Sequence, residues 1–226
     1  SVSACEKLKF VPKEWGFPVV GSFTYLGWFA EEDARQHARD LEAEGWDVDV
    51  RPVTAYSTLG YFRDPIVSTM LGRGPAALGY LANVILHESV HATVYVNHQS
   101  SFNETLASFV ADRLAPTFLK VRAPEALSAY DESEKQQAKA AALLRAAYAE
   151  LAAVYADPTL AESEKLARKT ATFTKLKSDL GSKRDFNNAS IVGFKTYDTG
   201  EEHFLKAFAR CGNDMKRFVE AAGLLT

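Results

Sequence analysis

The chain has 226 residues, 47% of them hydrophobic and 24% charged, with a net charge of -3. That is an ordinary globular balance with enough apolar residues for a sizeable core. It excludes a basic nucleic-acid surface, and no apolar run is long enough to span a bilayer. Two cysteines, Cys5 and Cys211, make no disulfide framework. Val2-Ser3-Ala4-Cys5 resembles a lipoprotein processing site by composition, but the apolar segment that should precede such a site is not in the sequence. The chain begins with Ser rather than Met. If an upstream signal was removed, a cell-envelope or periplasmic location follows. The residues themselves assign no compartment and no oligomeric state.

In chain order, residues 17–29 (FPVVGSFTYLGWF) are aromatic and β-branched, with Gly21 and Gly27 as punctuation, and read as a strand pair or one bent strand. Residues 31–45 read as an amphipathic helix with Ala34, Ala38 and Leu41 inward and Gly45 as its stop. Residues 47–56 alternate Asp and Val and then meet Pro52, which suits an edge strand. Together these predict a β-α-β unit, with a right-handed crossover if the strands are parallel. A helix is predicted over 76–96 and a second from about 102 to a stop before Pro116. Residues 124–180 predict an Ala-rich αα-hairpin that breaks at Asp157-Pro158. Thr159 with Glu162 would cap the second arm, and Gly181 would end it. Residues 182–200 look irregular. Residues 201–222 predict one final helix with Phe204, Leu205, Phe208 and Phe218 inward. No repeat or linker divides the chain. The expectation is therefore one domain over 1–226: a β-α-β region at 12–74, a helix pair at 75–120, the hairpin at 121–181 and a closing segment at 182–226.

The chemistry lies in ANVILHESVHATVYV, residues 82–96. On a helix, His87 and His91 stand one turn apart on the same face and can present imidazoles to one zinc ion. Glu88 is rotated by about 100 degrees and can act as a base beside the metal without ligating it. The bland alternative is a core helix with two satisfied histidines. The apolar flanks weigh against it, because a charged Glu88 there is costly without a cation nearby. Catalytic zinc needs a third protein ligand. Glu104 in NETLAS is the leading candidate, with the small Ala107, Ser108 and Ala111 letting its helix lie close. Ser101-Phe102-Asn103-Glu104 equally matches a capping box that would turn Glu104 back on the Ser101 amide. His98 and His203 are substitute ligands, and Asp112 is a candidate to orient a ligand histidine. Tyr197 and Tyr56 are candidate oxyanion donors, with Tyr197 favoured. Asp64, Asp185, Glu201 and Glu202 could hold a substrate amine. The edge strand at 47–56 could bind an extended peptide by strand addition.

HESVH followed by YVNHQSSFNETLASFV resembles the bacterial Putative aminopeptidase family of zinc-dependent metallopeptidases, whose pattern is roughly HELAH, a polar turn and FNExFAT. WGFPVVGSFTYLGWF at 15–29 and AYSTLGYFRDP at 55–65 resemble further family segments. Asn187-Asn188-Ala189 and Tyr197 resemble a later NNA…TY element. The similarity is strong over about 12–120 and weaker over 185–200. Gly16 and Leu26 depart from the family's Cys and Arg. The resemblance implies a zincin-like (gluzincin-like) protein; with the elements above, the expected fold is α+β, a small N-terminal sheet and an active-site helix pair, to which the hairpin, outside the resemblance, is an addition. It implies one Zn2+ held by His87, His91 and Glu104, with Glu88 as general base; beside it, on the residues themselves, Tyr197 is the expected catalytic donor and Tyr56 and Asn188 are expected contacts to a peptide substrate. The implied function is hydrolysis of peptide bonds, as an aminopeptidase. The alternative is an inactive zinc-binding module that holds a peptide or protein partner.

Overall fold

The computed structural model describes residues 1–17, 21–53, 66–96, 99–195 and 201–225. The fold is α+β, mostly helical with a small antiparallel sheet. The chain divides into two compact units, each discontinuous in sequence: Ser1–Pro52 with Gln137–Lys195, and Val53–Gln136 with Thr196–Thr226. Among the described residues, no helix is long and apolar enough to cross a membrane.

The first unit is built on a three-stranded sheet in the order β4-β1-β5. Its centre is β1 (Val2–Cys5), with β4 (Tyr25–Leu26) and β5 (Asp47–Val50) antiparallel on either side. The stretch that resembles a processing site is therefore an interior strand. Cys5 is fully buried, and its thiol donates to the Lys9 carbonyl. Helix α1 (Glu31–Ala43) buries Ala34, Ala38 and Leu41 against Val2, Ala4 and Val48, as its apolar spacing requires. Gly45, at φ 96, ends it. β4 and β5 are mutually parallel but separated by β1, so the β-α-β unit straddles a strand that the sequence reading passed over. β2 (Trp15–Phe17) and β3 (Gly21–Phe23) pair antiparallel as a separate two-stranded sheet.

The later part of α4 (Pro124–Ala156) packs on α5 (Glu162–Asp179) through Ala147, Leu151, Phe173 and Leu176. The hairpin is therefore present, but not its expected cap. Ala161 occupies the N-cap of α5 without a side-chain bond, while Thr159 donates both N–H and hydroxyl to Asp157. Residues 182–200 are not wholly irregular, since α6 (Asn188–Lys195) lies there. Asn187 caps it by accepting from the Ser190 amide, and the Ser190 hydroxyl accepts from the Asn187 amide in return.

The second unit holds α2 (Ala77–His91), α3 (Ser100–Arg122), the start of α4, α7 (Glu201–Arg210) and α8 (Met215–Gly223). Helix α2 ends five residues earlier than predicted, and in the connector beyond it the Val96 N–H and C=O both bond the Asn103 side chain, the carbonyl also accepting from the Gln99 N–H. Helix α3 runs through Pro116. Ala115, Leu119 and Ala123 on that stretch pack against Tyr130, Tyr80 and Leu86, and this packing offsets the lost backbone bond. The predicted final helix is two. Gly212 and Asn213 take positive φ, and Asp214 then caps α8 through the Arg217 amide. That reversal folds Phe218 onto Phe204, Phe208 and Phe109, while Leu205 points outward.

Candidate metal centre

Helices α2 and α3 pack on one another along a seam of small residues. Ala107 and Ala111 are fully buried in α3, and Ala82 is buried in α2. A close seam brings short side chains from the two helices into contact. His87 Nε2 lies 3.1 Å from His91 Nε2 and 3.3 Å from Glu104 Oε2, and His91 Nε2 lies 3.6 Å from Glu104 Oε1. These are the only described residues that cluster as a possible metal site. Donor atoms at about 2.0–2.1 Å from a tetrahedral zinc stand about 3.3 Å apart. The two imidazole nitrogens and the Glu104 carboxylate, through one oxygen to each, thus have separations close to those of ligands around one small divalent cation.

Glu104 is the residue whose role the sequence left open. Helix α3 starts at Ser100 with Gln99 at its N-cap and no side-chain cap, so Ser101 is already inside the helix. The Glu104 carboxylate lies against the two imidazoles instead of the Ser101 amide. Burial alone would raise its pKa, but the hydrogen bonds from His87 and His91 outweigh burial and hold it down to about 2. It is an ionised, acceptor-only group, as a metal ligand must be.

Two further atoms point to a missing partner. Glu88 Oε2 and His91 Nδ1 are buried and have no hydrogen-bond partner among the described residues. Such groups cost roughly 1–3 kcal/mol each when left unmade. Helix α2 is less enclosed than its apolar sequence suggests, with Leu78 and Ile85 exposed. The cost of Glu88 is therefore local to its own carboxylate. Ser108 Oγ lies 3.5 Å from His87 Nδ1 and so takes the orienting position. Asp112, the residue expected there, accepts from Asn83, which also donates to Tyr130.

None of the remaining candidates that are described belongs to this cluster. Tyr56, Asp64, His98 and Tyr197 lie outside the described residues. His203 is exposed on α7 and Glu202 is exposed beside it. Asp185 is exposed and paired with Lys177. Asn188 has a different task from the expected substrate contact, because it is fully buried in the first unit. Its amide donates to the carbonyls of Glu6, Lys7 and Lys9, and its oxygen accepts from Tyr155. No polar atom of that side chain is left for a ligand. The edge strand β5 is partly taken as well, since Asn187 donates to the Val48 carbonyl.

A family model described as "Putative aminopeptidase" matches residues 1–226. No curated protein and no solved structure matches the chain.

Proposed function

From the premise that the chain belongs to the Putative aminopeptidase family, we propose that it is a zinc-dependent peptidase of the zincin-like, gluzincin type. One Zn2+ would be held by His87, His91 and Glu104. The observation that carries this is the set of three separations, 3.1, 3.3 and 3.6 Å, between donor atoms of two helices. A zinc ion there would acidify a water and polarise the scissile carbonyl. Glu88 accepts the proton of the attacking water at Oε2 and passes it to the leaving amine nitrogen. Its buried, unpartnered oxygen is free for that transfer. A binding module with structural metal would have no use for such a base. Tyr197 is the proposed donor to the developing oxyanion.

Glu88→Gln keeps the shape of the side chain and removes the base. The variant should hold as much zinc as the parent and hydrolyse a mixed peptide library about 10²–10⁴-fold more slowly. Equal rates would overturn the mechanism. A parent that binds zinc and peptide but never cleaves would favour the inactive module. Mapping the cleaved bonds separates removal of amino-terminal residues from internal cleavage. Glu104→Ala should strip most of the zinc, read by metal analysis.

A further inference from the structure

The residue before Glu104 is an unusual one to find in a helix core. Asn103 is 1% exposed and sits one turn into α3. A buried amide needs partners for both its oxygen and its nitrogen. Asn103 finds both on one residue: its Oδ1 accepts from the Val96 N–H at 2.9 Å, and its Nδ2 donates to the Val96 carbonyl at 2.8 Å. Val96 belongs to the segment that joins α2 to α3, so the amide fastens the connector to the helix it leads into.

From this we infer that Asn103 is a positioning residue for the metal centre, acting through Glu104. Side chains near a helix start lean back toward the N-terminus, which is where Val96 lies. With no side chain capping α3, the Asn103–Val96 pair takes over the fixing of its first turn. Fixing the rotation of that turn fixes the direction of the adjacent Cα–Cβ bond. That bond aims Glu104 between His87 and His91. Buried Val94, packed on Leu106 and Phe218, holds the connector from the other side. An aspartate could accept from Val96 but not donate to it. An alanine could do neither.

The inference rests on the zinc reading above, and the test separates the two. Zinc affinity is measured on the full chain by competition with a chromophoric chelator, alongside the melting temperature of the metal-free protein. Asn103→Ala should weaken zinc binding by about 10–100-fold, the usual effect of losing a residue that orients a ligand. Asn103→Asp should fall between it and the parent. In a Glu104→Ala background, Asn103→Ala should change the residual zinc affinity little, because the residue it aims is gone. A purely structural role lowers the melting temperature and leaves the affinity of the folded protein at the parental value. That outcome in either single variant, or an equal loss in the Glu104→Ala background, overturns the inference. If Asn103→Ala fails to fold, Asn103→Asp carries the same comparison. A parent without zinc affinity overturns both the inference and the zinc reading.

Discussion

His87 stands between Ser108 and the Glu104 carboxylate. A proton on Nδ1, shared with the Ser108 hydroxyl, would leave Nε2 free to ligate. Ser108→Ala removes that acceptor with almost no change of volume. It should weaken zinc binding by about tenfold while leaving the melting temperature close to the parental value, as chelator competition and calorimetry would show. A second residue-scale prediction concerns Cys5. Burial, and then the charge of Asp47, push its thiol from 9.0 up to about 12. The folded state therefore favours the neutral thiol. The stability tied to it is present below 9.0 and is lost as pH rises from there toward 12. Alkaline melting curves of the parent should fall more steeply over that range than those of Cys5→Ala.

Among the elements, α2 depends on Gly79. A Cβ at that position would lie 2.6–2.7 Å from Tyr130 Cγ and Cβ, atoms too close to the backbone of α4 to swing away. Gly79→Ala should cost about 1–3 kcal/mol, read from denaturant unfolding. The regular elements were legible where one period ran without interruption. Ala34, Ala38 and Leu41 gave α1, and the charged, Ala-rich arms gave the hairpin. HESVH was legible because its histidines are one turn apart on a single helix. What escaped depended on partners distant in sequence. Val2–Cys5 is only four residues long, and its strand pairing comes from Leu26 and Val50. Helix α3 passes Pro116 because Ala115 and Leu119 are packed by other segments. Two left-handed residues, Gly212 and Asn213, divide what the phenylalanine spacing makes look like one helix. The role of Glu104 could not be read from spacing alone, since a capping box and a ligand share the same pattern.

At the scale of the whole molecule, each unit is assembled from chain segments that are far apart. In the first, the Asn188 side chain joins residues 6–9 to Tyr155 on α4, and the Asn188 backbone N–H donates to Asp47. Asn188→Ala would leave three carbonyls and one partly buried hydroxyl without that partner. It should destabilise the protein by about 3 kcal/mol or more, measured as a lower denaturant midpoint. In the second, α8 returns Phe218 to Phe109 and so completes the core beneath α3. Both arrangements bear on the order of events during synthesis. Asp47 and Asn188 are 141 residues apart, a stretch that takes on the order of ten to thirty seconds to translate. Over that interval the sheet lacks its closing helix. The helix pair that carries His87, His91 and Glu104 likewise waits for Phe218. The first unit has all of its segments once Lys195 has emerged, whereas the second, which carries the candidate metal cluster, still waits for the segment that holds Phe218.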